Sequence, residues 1–319
     1  SVLATIPGWN HSVAYRNAKL FIAKTSVMYV ADYNGSSTSL TNALQQFVVL
    51  PSITGGHQSR TVVVGPDERL YVSIGISGNC SDEYLSDTYP FELRRGGVFV
   101  IDESGSSPVL VPFSSGLRNP IGLAFDPRTG FLYADNAGPD NLGFNEPPEI
   151  FSRLTNGSFH GMPWFQYMNG TFQSGQCIFT PPPRPASEAT APLATFDARS
   201  TPQGIAFVTG GGLGSEFTGN ALVAIHGSWA IAPGGGPETR RPPKIVMVTF
   251  SNGTPTGVVD VVTGFQRADG SRFARPSGMV MGPDGSVYFT SDGGDVEGLF
   301  RLSGSFSALP ATLFLLDGK

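Results

Sequence analysis

The chain of 319 residues holds 41 Gly and 26 Pro, with 40% hydrophobic, 11% aromatic and only 14% charged residues and a formal net charge of −5. Ample hydrophobic content at low charge excludes a disordered chain, and the lack of any apolar run of about 18 residues excludes a membrane-spanning helix. Basic residues cluster no further than pairs such as Arg94-Arg95 and Arg240-Arg241, so a nucleic-acid partner, which needs a basic face, is not expected.

Along the chain one pattern comes five times: a strand of small and apolar residues, a turn, then a strand bearing an aromatic residue. The copies start near His11, Arg60, Ile121, Gln203 and Ser277. Pro66-Asp67, Asp126-Pro127 and Pro283-Asp284-Gly285 supply turns. Further strands are expected at 97–101, 244–250 and 298–302, followed by 109–113 and 258–263. Three or four short strands per unit predict an all-β protein, a β-propeller, built as a single domain over 1–319. Five blades are visible. A sixth would need strands ahead of Ser1 or from the tail, Ala308 to Leu316. Gly122, Ala124, Gly204, Ala206 and Gly278 favour crowded inner strands over a sandwich or solenoid. A Pro-rich loop is inserted at 181–192.

The chain begins at Ser1 without a charged-then-apolar leader and reads as a trimmed chain. Two cysteines, Cys80 and Cys177, allow one bridge and no four-thiolate zinc site. Six N-x-S/T tripeptides occur, at Asn10, Asn34, Asn79, Asn156, Asn169 and Asn252. Together they favour a secreted, extracellular glycoprotein over unmodified polar loops. An oxidising compartment then favours a Cys80–Cys177 bridge.

The residues just ahead of the inner strands are polar: Asn10 and His11, His57 with Arg60, Arg118 with Asn119, Thr201, and Arg275. His226, in His226-Gly227-Ser228-Trp229, and Lys244 sit at loop ends. In a chain so poor in charge, this set predicts a cationic pocket for an anionic or quinone-bearing ligand. A histidine there is suited to general-base work near neutral pH. Taken singly, each Arg equally reads as a clamp on loop carbonyls and each His as a turn cap. Asp82, Glu83, Asp87 and Glu92 read as a solvated loop, Trp9 and Trp164 as packing residues, and Met279 and Met281 as core filler.

At these motifs the sequence resembles the soluble quinoprotein sugar dehydrogenases, the glucose/sorbosone dehydrogenase family. The motifs are Gly55-Gly56-His57 with Arg60, Leu70-Tyr71-Val72-Ser73, Arg118-Asn119-Pro120, Asp135-Asn136-Ala137-Gly138-Pro139-Asp140, His226-Gly227-Ser228-Trp229, and Arg275-Pro276. The resemblance implies a six-bladed propeller that oxidises a sugar with pyrroloquinoline quinone (PQQ) as hydride acceptor. It implies His57 as the base, and Arg60, Arg118, Asn119, His226, Lys244 and Arg275 as cofactor-binding residues. It implies Ca2+ on the loop of Gly138, Pro139 and Asp140.

The sequence departs from the family after that loop, where it reads Phe144-Asn145-Glu146-Pro147-Pro148-Glu149-Ile150 in place of an acidic run. Lys244 lies beyond an added stretch, 232–243, and no blade precedes His11. A second reading is therefore kept: a non-catalytic secreted propeller that binds a glycan or protein, or builds an extracellular assembly. A partner chain could then complete the propeller. On this reading Phe144, Phe151 and Trp164 would plug the site. A Ca2+-dependent lactonase, which needs acidic channel ligands, is disfavoured by the cationic set.

Overall fold

The computed structural model describes residues 2–8, 10–52 and 55–304. Among them, regular structure is strand, relieved by four short 3-10 turns. The first sheet runs Asn10–Arg16, Lys19–Lys24, Val27–Asp32 and Gln45–Val49, each strand antiparallel to the next. The second is built on Val62–Val64, Leu70–Ile74, Gly97–Asp102 and Val109–Ser115, with Ser158–Phe159 added in parallel at its edge. Leu123–Phe125, Leu132–Asn136, Glu149–Leu154 and Ala194–Phe196 make the third. The fourth is Pro202–Phe207, Ala221–Ile225, Lys244–Ser251 and Thr254–Val262. The fifth has Pro276–Met281, Val287–Ser291 and Gly298–Leu302.

These are five blades of a β-propeller, whose first strands begin at Asn10, Val62, Leu123, Pro202 and Pro276. The described residues form no sixth blade. The tail expected to supply one lies outside the described residues, as does Trp9.

Two blades show why the repeat has its turn signature. Asp67 accepts hydrogen bonds from the Tyr71 hydroxyl (2.8 Å) and from Arg69 Nε (2.7 Å). Asp284 likewise accepts from the Tyr288 hydroxyl (3.0 Å) and pairs with Arg301 at 2.8 Å. One turn carboxylate thus clasps the start of the next strand. Small inner-strand residues also have a steric cause. A methyl group on Gly204 would lie 2.2 Å from the Ser277 carbonyl oxygen on the neighbouring inner strand.

The chain divides into two compact units, one of residues 1–123, 154–166 and 172–190, the other of 124–153, 167–171 and 191–319. In the first, Phe21, Met28, Leu70, Val72, Ile74 and Phe99 form the core between its two blades. A satellite of Tyr84, Phe159, Trp164 and Phe165 lies beneath the Pro-rich insertion, whose Arg184 donates to the Gly157 carbonyl at 2.8 Å. In the second unit, Tyr133 stacks on Phe151 (centroids 5.4 Å apart) within one core. Phe265, Val287 and Phe289 anchor the other, with Met279 and Met281 packed against it. Phe151 and Trp164 are therefore core residues, not plugs. No helix of the described residues is long and apolar enough to cross a membrane.

Candidate functional site

In the first unit, polar residues converge on Gly75. The strand before it, Leu70–Ile74, is buried at every position, and it sets the following backbone rigidly. A methyl group on Gly75 would lie 2.7 Å from His57 Cβ, 2.9 Å from Asn119 Oδ1 and 3.1 Å from the Arg118 carbonyl oxygen. Three residues singled out in the sequence thus meet at one glycine.

His57 Nδ1 is 2.6 Å from the Ile76 carbonyl oxygen. A carbonyl only accepts, so Nδ1 carries the proton and Nε2 the lone pair. Burial, and then the cations Arg118, Arg95 and Arg60, lower the His57 pKa to about 3 against the pull of the Ile76 bond. The ring is neutral across the physiological range, with its basic nitrogen fixed by the backbone.

Arg118 is aimed by the disulfide loop. Its Nε donates to the Asn79 carbonyl and its Nη2 to Asn79 Oδ1, both at 2.8 Å. The next residue, Cys80, is bridged to Cys177 with Cα atoms 5.4 Å apart. Arg60 behaves differently. It is fully buried and donates to the carbonyls of Thr25 (3.0 Å), His57 (3.0 Å), Ser59 (2.7 Å) and Pro51 (3.3 Å). Its guanidinium therefore holds the His57 loop from behind.

Two neighbours were not read from the sequence as site residues. Arg95, fully buried, donates to the carbonyls of Gly75 (2.8 Å) and His57 (3.1 Å). Among the described residues its buried Nη1 has no hydrogen-bond partner. Glu83 accepts the Ser77 N–H at 2.5 Å and the Ser81 hydroxyl at 2.9 Å. It is 3% exposed, so it does not belong to a solvated loop. Its charge partly offsets the burial that lowers the pKa of Arg60, to about 9, and of Arg95. No spacing rule marks either residue; only the Gly96-Gly97 pair after Arg95 hints at close packing.

The second unit carries the other group. His226 is buried, with Nε2 2.5 Å from Asp292 Oδ1. Burial lowers its pKa although Asp292 opposes the change. Arg275 donates to the carbonyls of His226 (3.2 Å) and Gly227 (3.0 Å). Trp229 is 71% exposed. The guanidinium groups of Arg275, Arg272 and Arg240 lie 4.6, 5.6 and 5.8 Å from its ring centroid. Arg272 donates to the Ser228 carbonyl, and among the described residues its buried Nη1 has no hydrogen-bond partner. Cations over an exposed indole suit a planar polyanion. Lys244 lies opposite Ile225, the residue before His226, but its ammonium pairs with Asp260 at 2.8 Å.

The loop expected to hold Ca2+ is filled from within. Arg199 Nε donates to the Gly143 carbonyl (2.9 Å) and Nη2 to those of Gly143 (2.5 Å) and Glu146 (2.9 Å). Nη1 reaches the Pro139 carbonyl and Asp140 Oδ1, the latter at 3.1 Å. Glu149, buried, accepts the Gly138 N–H. The donor set does not fit a resident Ca2+, which takes six to eight oxygens at about 2.3–2.6 Å. Among the described residues no group of three acidic, His or Cys residues could hold a metal ion.

Of the six sequons, Asn34, Asn156, Asn169 and Asn252 are exposed, whereas Asn79 is half-buried and bonded to Arg118. Asn10 begins the first strand.

Fold and site define a β-propeller with a neutral, backbone-fixed histidine and buried arginines at the strand ends. The description of the glucose/sorbosone dehydrogenase family matches residues 13–232. The chain belongs to this family. An uncharacterised protein of Borreliella burgdorferi is 26% identical over 298 residues, covering 89% of this chain and 73% of that protein. Quinoprotein glucose dehydrogenase B of Acinetobacter calcoaceticus is 30% identical over 132 residues, covering 34% of this chain and 27% of its own. The holo form of the PQQ domain of pyranose dehydrogenase from Coprinopsis cinerea shares the fold, with a TM-score of 0.68 at 20% identity over 92% of this chain and 81% of that one.

Proposed function

We propose that this chain is a secreted quinoprotein dehydrogenase that oxidises a sugar, with His57 as general base. The observation that carries the reading is the 2.6 Å contact of His57 Nδ1 with the Ile76 carbonyl. It fixes the tautomer that leaves Nε2 free to take a hydroxyl proton. When bound, PQQ would supply the acceptor for the hydride from the same carbon. Arg118 and Asn119, which meet His57 at Gly75, would hold it. The Arg118 guanidinium would pair with one of its carboxylates. An anion beside Arg118 would also remove one of the cations that keep the His57 pKa low, making the base stronger when cofactor is present. The Cys80–Cys177 bridge and the exposed sequons support an extracellular setting.

The test is titration with PQQ followed by dye-linked oxidation of a sugar series. Saturable binding near one PQQ per chain is expected. His57→Asn should lower kcat by about 10²- to 10⁴-fold while leaving PQQ affinity within roughly threefold, since Asn keeps the polarity but not the base. Failure to bind PQQ would overturn the reading. The filled metal loop favours the second reading, a propeller that binds a glycan without oxidising it. That reading predicts glycan binding with no dye reduction.

A further inference from the structure

We infer that Arg199 is a built-in cation for the loop of residues 138–149, and that it makes this loop's order independent of divalent metal. The five N–H groups of a guanidinium form a rigid planar fork. Here all five are used on one loop: three carbonyls, of Pro139, Gly143 and Glu146, with Gly143 taken twice, and the Asp140 carboxylate. Backbone oxygens drawn inward on a turn need a positive partner, and the side chain provides it. A metal ion would have to displace the guanidinium or sit against its charge.

Three further observations point the same way. Arg199 is 5% exposed, and its neighbours Ala198 and Ser200 are 2% exposed. It has a φ of +68°, which an L residue adopts only when its surroundings over-determine it. Lastly, a second guanidinium grips the loop's outer edge. Arg241 lies 4.3 Å from the Phe144 ring centroid and donates to Asn145 Oδ1 at 2.8 Å and the Ala198 carbonyl at 3.2 Å. The acidic run expected there is replaced by Phe144 and Asn145, which are the side chains that Arg241 contacts. Arg199 and Arg241 thus hold the same loop, one from within and one at its edge.

The test needs neither quinone nor sugar, so its failure would leave the proposed function standing, and the reverse holds too. Melting of the full chain is compared in EDTA and in millimolar Ca2+, with calorimetric titration by Ca2+ alone and limited proteolysis of the loop. The wild type should melt within about 1 °C in both media, because buried hydrogen-bonded charge already orders the loop. Arg199→Ala should melt roughly 5 °C lower or more and be cut within 138–149. Arg199→Lys should recover only part of the loss, since an ammonium cannot bridge three carbonyls in a plane. Saturable Ca2+ binding to the wild type that raises its melting temperature and is abolished by Asp140→Asn would overturn the inference. So would an Arg199→Ala variant that melts and resists protease like the wild type. Should Arg199→Ala not fold, the wild-type comparison in EDTA and Ca2+ decides alone.

Discussion

Mild acid should destabilise this protein through its histidines. The pKa of His57 is lowered to about 3, by burial and then by Arg118, and that of His160 to about 4, by burial alone. Both sit at 6.5 when unperturbed. Folded pKa values below unfolded ones mean that the unfolded chain binds more protons below pH 6.5. The stabilisation is therefore full above 6.5 and is lost as the pH falls. Each proton contributes about 1.4 kcal/mol per pH unit. Two histidines cost about 4 kcal/mol between pH 7 and 5, a large share of the 5–15 kcal/mol typical of a folded domain. His226, also lowered by burial despite Asp292, adds in the same direction. Carboxylates held low, such as Asp284 by the Ser286 N–H and Asp102 by the Ser104 N–H, act only below their ordinary 3.8. The window from 6.5 to 5 thus belongs to histidine. Urea unfolding at pH 7, 6 and 5 reads the slope directly. His160→Asn should flatten it by about one proton. A midpoint unchanged between pH 7 and 5 would refute the argument.

Gly75→Ala should cost activity at least as much as stability. Its methyl group would meet His57 Cβ at 2.7 Å and Asn119 Oδ1 at 2.9 Å, so kcat should fall at least tenfold on a folded protein, as turnover beside a circular dichroism melt would tell. Cys80→Ser opens a bridge between residues 97 apart. Chain entropy for such a loop suggests a loss of about 4–5 kcal/mol, and the urea midpoint should fall accordingly. Arg275→Gln should weaken a bound polyanion by about tenfold or more without unfolding the blade. Calorimetric titration with a planar aromatic polycarboxylate checks this, and unchanged affinity would show that the group around Trp229 does not bind it. Finally, NMR titration of His57 should show its pKa rising when an anion binds beside Arg118, because a cation that lowers it is neutralised.

The repeat made the fold legible. The Asp-to-Tyr clasp at 67–71 and 284–288 needs fixed residues at fixed spacing, and the close approach at Gly204 needs a glycine, so both leave marks on the sequence. The site was legible where backbone dictates chemistry: His57, Arg118 and Asn119 flank inner strands and meet at Gly75. It was illegible where a long side chain chooses among distant carbonyls. Arg60 turns to four backbone oxygens, Lys244 to Asp260, and Arg199 to a loop more than fifty residues earlier in the chain. Glu83 was misassigned for a related reason. A carboxylate among exposed acidic residues carries no local sign that the buried Arg60 and Arg95 lie near it.

Asn79 binds Arg118 through both its carbonyl and its side-chain amide, and its neighbour Cys80 is tethered to Cys177. Oxidation state and the aim of a site cation are thereby joined. Material made in a reducing host would assemble its blades yet present a slackened guanidinium. Assays on such material would report the folding compartment rather than the protein, and an oxidising host is the proper source for measuring what this site binds.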